Sequence, residues 1–257
     1  MNSNEVQVID KLIKRARTAL TKAPNGSIRL CSSKGYPRFY YFESSNDDKG
    51  KYLSANDLPF ITAICQRDYN VKLIERLESL KKQALKDIPF NLNNEIDEVY
   101  FAFKPGKQSV IKPIIPTIND YINEWYNNHP QQQNPFPFDS YLITNKGEKV
   151  RSKSEKIIAD KLLALDIPYV YEPAVIINNT VKYPDFIILN KRLRKTFYWE
   201  HFGLADDEGY SESNLAKLAD YEKNGLLIGE DVICSFETKD TPISSSTLDK
   251  KIMTHLQ

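Results

Sequence analysis

The stretch YPDFIILNKRLRKTFYWEHFG, residues 183–203, decides how this chain is read. Phe186-Ile187-Ile188-Leu189 is a short apolar run bounded by turn signals, which predicts a buried strand. Asp185 stands at its mouth. The basic turn Asn190–Lys195 leads into Thr196-Phe197-Tyr198-Trp199, a second predicted strand paired with the first as a hairpin, which returns Glu200 to the region of Asp185. Converging carboxylates repel each other unless a cation or a proton sits between them. Hard oxygen ligands with room for water and phosphate suit Mg²⁺, which supplies a hydroxide-like nucleophile and offsets charge on a phosphoryl group. The plainer reading makes Asp185 a turn residue after Pro184 and Glu200 a solvated strand end. Against it, Glu200 follows Phe-Tyr-Trp and precedes His-Phe-Gly, neighbours of a kind that is usually buried.

Upstream, Arg151-Ser152-Lys153-Ser154-Glu155 opens a segment in which Ile157, Ile158, Leu162, Leu163 and Leu165 recur at helical spacing. Glu155 therefore falls in a first helical turn. Ser152 with Glu155 matches a capping box, in which the carboxylate ties down a backbone amide. With Ser154 as the cap instead, Glu155 is free to face the two strand-end carboxylates, and both readings stand.

A helix bearing a Glu, a strand pair bearing Pro-Asp and Glu, then a helix and a further strand resemble the PD-(D/E)XK, or restriction-endonuclease-like, nuclease superfamily. The likeness covers residues 140–257, with a helix near 154–165, strands near 169–177, 185–189 and 196–201, a helix near 211–223 and a strand near 231–236. It implies an α/β fold: a C-terminal αβββαβ core with a mixed sheet, here preceded by an α+β N-terminal region. It also implies phosphodiester hydrolysis with Mg²⁺, for which Mn²⁺ substitutes. Asp185 and Glu200 match the metal carboxylates, and Glu155 matches the helical Glu that assists in many members. One position departs from the family pattern. Two residues after the second carboxylate the family places a lysine, and this chain has Phe202. His201 is one replacement, although strand alternation aims it away from Glu200 unless a bulge re-aims it. Lys217 is another. It shares a helix face with Tyr221 at i, i+4, similar to the Gln-x-x-x-Tyr helix of exonuclease-type members; the plainer reading is a surface Lys beside a half-buried Tyr. The Arg-Ser-Lys-Ser-Glu, Tyr-Pro-Asp-Phe and Trp-Glu-His-Phe-Gly blocks also resemble those of uncharacterised bacterial proteins, a likeness that brings no substrate.

The rest of the chain sets the context. A length of 257 residues suits one large domain or two smaller ones. Three scattered cysteines (Cys31, Cys65, Cys234) and three histidines indicate neither a disulfide framework nor a zinc cluster. No apolar run reaches the roughly 20 residues that span a bilayer, and a cytoplasmic location is expected. Net charge is +1, yet residues 1–44 hold eight Lys/Arg against three acids. A helix near 4–22 and strands at 27–32 and 36–43 are expected there. They present Arg29, Lys34 and Arg38 among tyrosines, either as a nucleic-acid contact or as a solvated face over an aromatic core. Arg151 and Lys153 are candidate phosphate clamps, and Tyr221 joins the nucleic-acid-binding set. Residues 54–86 read as a long amphipathic helix that must bury its stripe inside the domain or against a second copy of the chain, so a homodimer stays open. Val99–Phe103 reads as a strand and 117–127 as a helix. The proline- and glutamine-rich segment 127–138 reads as a linker between a region 1–126 and a nuclease-like domain 139–257. The expected function is a metal-dependent nuclease acting on DNA rather than RNA. The alternative is a nuclease fold that has lost the reaction and serves as a nucleic-acid-binding or interaction module.

Overall fold

The computed structural model describes residues 3–33, 36–44, 46–47, 49–203 and 208–256. The chain forms two compact units, residues 1–117 and 118–257. In the first, α1 (Ser3–Leu20) precedes a three-stranded antiparallel sheet of β1 (Ser27–Ser33), β2 (Tyr36–Phe42) and β3 (Lys51–Leu53), and a 3₁₀ turn leads into α2 (Leu58–Ala84). The stripe of α2 runs Ile61, Ile64, Cys65, Tyr69, Leu73, Leu77, Leu80, each at most 2 % exposed. Ile9 and Ile13 of α1 and Ile28 and Leu53 of the sheet share its core, so the long helix buries its stripe within its own unit. α3 (Leu92–Phe101) and the short α4 (Pro105–Gln108) complete this unit. The strand expected at Val99–Phe103 is the end of α3. Its β-forming residues are overridden by an Asn91 cap, whose Oδ1 accepts the Asn94 N–H at 3.1 Å, and by burial of Ile96.

The second unit begins with α5 (Ile118–Asn128). Residues 127–138 lie inside this unit rather than between domains. Asn127 and Asn128 end α5 and residues 129–138 form no regular element, but the N–H groups of Gln132 and Gln133 donate to the carbonyls of Tyr171 and Glu172 at 3.0 and 2.9 Å. A small hairpin, β4 (Leu142–Ile143) and β5 (Lys149–Val150), leads into α6 (Lys153–Ala164). The strand expected across 169–177 divides into β6 (Tyr169–Tyr171) and β7 (Val175–Ile177), broken at Glu172, whose φ is +43°. β7 pairs with β8 (Thr180–Lys182) through the two-residue turn Asn178-Asn179, both at positive φ as a type I′ hairpin demands. Then come β9 (Phe186–Asn190), β10 (Lys195–Phe202), α7 (Glu208–Lys223), β11 (Val232–Phe236) and α8 (Ser245–Leu256), the last with no counterpart in the sequence reading.

The main sheet runs β11-β10-β9-β6, with β10 antiparallel to β9 and parallel to β11. The fold of this unit is thus mixed α/β with a mixed sheet. The parallel pair requires a crossover, and α7 supplies it. Alternation along the strands sorts the side chains. Phe186, Ile188, Phe197, Trp199 and Ile233 pack with Ile158 and Leu162 of α6 and Leu248 and Ile252 of α8. On the opposite face, Ile187 and Leu189 meet Trp125 of α5, and Phe202, Val232 and Cys234 meet Tyr221 of α7. All five residues of β9 are buried, as its unbroken apolar run foretells. Among the described residues no helix is long and apolar enough to cross a membrane.

Two adjacent leucines on α6 test this packing. Leu162 is fully buried and Leu163 is 39 % exposed. Leu162→Ala is expected to lower the stability of the second unit by about 2–5 kcal/mol and Leu163→Ala by under about 1 kcal/mol. The measurement is the urea midpoint followed by tryptophan fluorescence, since Trp125 and Trp199 both lie in this unit.

Candidate active site

β10 carries Glu200 into the interior on the face that meets α7, where it is 1 % exposed. A lone carboxylate there would be driven to its neutral form. Two donors from consecutive turns of α7 meet it. Lys217 Nζ donates to Oε2 at 2.6 Å and the Tyr221 hydroxyl to Oε1 at 2.5 Å. Burial pushes the Glu200 carboxyl up from its ordinary range, and the Lys217 ammonium and the Tyr221 hydroxyl act against that rise. Burial and the Glu200 charge likewise push the Tyr221 phenol up, which keeps it a donor.

Asp185 enters β9 beside this pair. Its Oδ2 accepts the backbone N–H of His201 at 2.6 Å, so it is hydrogen-bonded to the peptide that follows Glu200. Its own carbonyl accepts the Glu172 N–H at 3.0 Å, which anchors it to the end of β6. Burial raises the Asp185 carboxyl well above its ordinary range. The Glu200 charge raises it further, Lys217 opposes the rise, and Glu155 adds to it. The hairpin therefore brings Asp185 and Glu200 into one electrostatic environment.

Glu155 anchors the start of α6. Ser152 is the cap: its Oγ accepts the Glu155 N–H at 3.1 Å, and Glu155 Oε2 accepts the Ser152 N–H at 3.2 Å. That oxygen also accepts the Arg151 N–H at 2.7 Å and the Tyr171 hydroxyl at 2.9 Å. Among the described residues Oε1 takes no hydrogen bond. The capping box and the influence on Asp185 coexist in one side chain. Ser154 instead donates to Glu237 Oε2 at 2.7 Å.

His201 obeys strand alternation. β10 and β11 pair without a bulge, and the imidazole lies on the face opposite Glu200, with Nδ1 2.9 Å from Ser235 Oγ and Nε2 3.4 Å from Glu237 Oε1. Ser235 also accepts from Trp199 Nε1 at 2.9 Å. Only the main-chain N–H of His201 serves the carboxylate pair. Phe202, on Glu200's face, is core, 4 % exposed and stacked on Phe236 at 5.3 Å. A lysine in its place would bury its charge in apolar surroundings. Lys217 brings the ammonium from the neighbouring helix instead, and the surface reading of this residue is overturned.

The other expected contacts divide. Arg151 is spent inside the protein: Nε and one terminal nitrogen donate to Glu172, the terminal nitrogens also reach the Pro137 and Phe136 carbonyls, and the guanidinium lies 4.3 Å over Phe138. It is no free phosphate clamp. Lys153 is exposed at the start of α6. Tyr221 is 1 % exposed with its hydroxyl on Glu200, so it cannot stack on a base. Arg29 and Arg38 are exposed on the sheet of the first unit, and Lys34 lies outside the described residues. The sequence reading passed over Glu237, which leaves β11 in Phe-Glu-Thr-Lys (236–239); an acid two residues before a lysine at a strand exit was the available signal.

Among the described residues no group of three or more His, Cys, Asp or Glu side chains is gathered to hold a metal ion. Asp185 and Glu200 nonetheless form the kind of sparse carboxylate pair that Mg²⁺ uses, since this ion retains several of its waters.

The raised Asp185 carboxyl has a measurable consequence. Folded, Asp185 holds its proton more tightly than unfolded, so its stabilising contribution is fully present below the ordinary carboxylate pKa and is lost as pH rises through the folded value; Glu200 acts in the same sense. Without divalent ions the second unit is expected to weaken as pH climbs from about 4 toward neutrality. Asp185→Asn keeps the bond from His201 and flattens that loss, leaving the variant more stable than the wild type at neutral pH. Urea midpoints read by tryptophan fluorescence across this range check it, and an unchanged slope would place Asp185 in water.

No protein-family model matches the chain, and no solved structure matches it. It is similar to an uncharacterized protein of Methanocaldococcus jannaschii, with 28 % identity across 45 % of this chain. The match spans 11 % of that protein's length.

Proposed function

We propose that the second unit is the restriction-endonuclease-like (PD-(D/E)XK) core of a metal-dependent nuclease that hydrolyses phosphodiester bonds, with DNA preferred over RNA. The observation that carries this reading is the bond from the peptide after Glu200 to Asp185, with Lys217 on the same Glu200. The succession of α6, β6, β9, β10, α7 and β11 supports it, since it follows the αβββαβ plan with the β7–β8 hairpin standing between. The first unit is then an accessory region.

Asp185 and Glu200 would hold Mg²⁺ or Mn²⁺, with Glu155 assisting from the cap of α6. A bound divalent ion supplies charge neutralisation at the phosphate and an acidified water. The chain's own residues do the rest. Tyr221 and Lys217 oppose the burial that favours the neutral form of Glu200, and they orient its carboxyl group. The His201 N–H fixes Asp185. The Lys217 ammonium offers positive charge where negative charge builds on the phosphoryl oxygens. In the net reaction water adds at phosphorus, the P–O bond to one ester oxygen breaks, and that oxygen leaves with a proton.

A second reading, a nuclease fold that binds without cutting, draws on Phe202 and on both Glu200 oxygens being occupied by protein donors. Cleavage of mixed DNA and RNA substrates with Mg²⁺ or Mn²⁺ separates the two. The wild type is expected to cut, with Asp185→Asn, Glu200→Gln and Lys217→Met each losing at least ~100-fold. His201→Gln should stay within a few-fold, because its ring faces away. Equal cutting by every variant would betray a contaminant, and wild-type binding without cutting would establish the second reading.

A further inference from the structure

The sheet of the first unit has one face against α2 and one open. Cross-strand partners share a face, and the register sets Arg29 opposite Tyr40, Cys31 opposite Arg38, and Tyr40 opposite Tyr52. Alternation along β2 adds Tyr36 to the same side. Ile28 and Leu53 are buried beneath, while Tyr36 and Tyr52 are 75 % and 54 % exposed. Tyr40 and Tyr52 meet edge to face at 5.7 Å, so the second ring is braced rather than loose. Among the described residues this face carries no acidic side chain, and neither Arg29 nor Arg38 has an acidic partner. Arg29 lies 4.2 Å over the Phe42 ring, which holds its guanidinium at the surface.

The positive character continues past the edge strand. Beside β1 lies a cavity of about 930 Å³ whose charged lining is Arg29, Arg67, Lys72, Lys104 and Lys107 against Asp68 and Glu75, with Arg67 and Lys107 facing Asp68. Open aromatic rings flanked by arginines, with a cationic trough alongside, do not suit an apolar protein partner, which would leave the arginines buried without counter-charge. They do suit a chain of stacked planes joined by phosphates. Rigid duplex hides its base faces, whereas a single strand offers them.

We propose that the open face of this sheet binds single-stranded nucleic acid, with Tyr36, Tyr40 and Tyr52 stacking on bases and Arg29 and Arg38 holding the phosphate backbone, which continues toward Lys104. The proposal takes nucleic acid as substrate class from the proposed function. Its test reads binding alone, so either can fail without the other.

The test titrates the full-length protein, in EDTA to silence hydrolysis, into end-labelled oligothymidine, oligouridine and the thymidine–adenosine duplex, followed by fluorescence anisotropy. Single strands are expected to bind at least ~10-fold tighter than duplex, with affinity falling steeply as salt rises. The two single-strand arms show whether DNA or RNA is preferred. Tyr36→Ala with Tyr52→Ala should lose ~10-fold or more, the Tyr→Phe pair should retain wild-type binding, and Arg38→Glu should weaken binding and flatten the salt slope. Cys31 gives a readout that needs no substitution. It is exposed on this face, whereas Cys65 and Cys234 are buried with thiols pushed up to about 11. A thiol-directed fluorophore there should respond to single strands and not to duplex. Duplex binding as tight as single-strand binding, or unchanged affinity in the Tyr→Ala pair, would overturn the proposal.

Discussion

Glu200 keeps a carboxylate inside the second unit because two donors one helical turn apart on α7 meet its two oxygens. This one contact fixes much else. It sets the rotation of α7 against the sheet, it explains why Tyr221 is fully buried, and it couples the crossover helix to the strand that precedes it. Removing Lys217 would leave burial less opposed and push the Glu200 carboxyl further toward its neutral form. Asp185 compounds the strain. Its bond from the His201 peptide places a second carboxylate beside the first, and a single ammonium faces both.

The same contact bears on position 202, where the family that the sequence resembles has a lysine and this chain has Phe202. At position 202 the strand must supply apolar volume, since Phe202 joins Val232, Cys234 and Tyr221 in the core and stacks on Phe236. The ammonium beside the carboxylates comes from α7 instead, as Lys217 on Glu200 Oε2. His201 cannot take that place, because the ladder with β11 runs through it unbroken. The imidazole joins Trp199, Ser235 and Glu237 on the other face.

Convergence of Asp185 and Glu200 was legible because it rests on local rules: strand alternation, a short basic turn and the return of a hairpin. The Lys217–Tyr221 spacing was legible as a shared helix face, but its partner was not, since nothing in residues 208–223 tells which way α7 turns. Arg151 misled for the same reason. A basic residue before a helix looks solvated until Glu172, 21 residues on at a positive φ, closes on it. The 127–138 segment has the composition of a linker, yet its backbone finds partners in Tyr171 and Glu172, which composition cannot encode. The expected single strand across 169–177 stopped short of the Asn178-Asn179 turn but ran through the break at Glu172.

The most direct measurement of the central claim is anomalous diffraction from a crystal soaked in Mn²⁺. One strong signal is expected within bonding distance of both Asp185 and Glu200. A Glu200 still enclosed by Lys217 and Tyr221 with no signal beside it, or an ion bound elsewhere in the second unit, would rule out a metal site on this carboxylate pair.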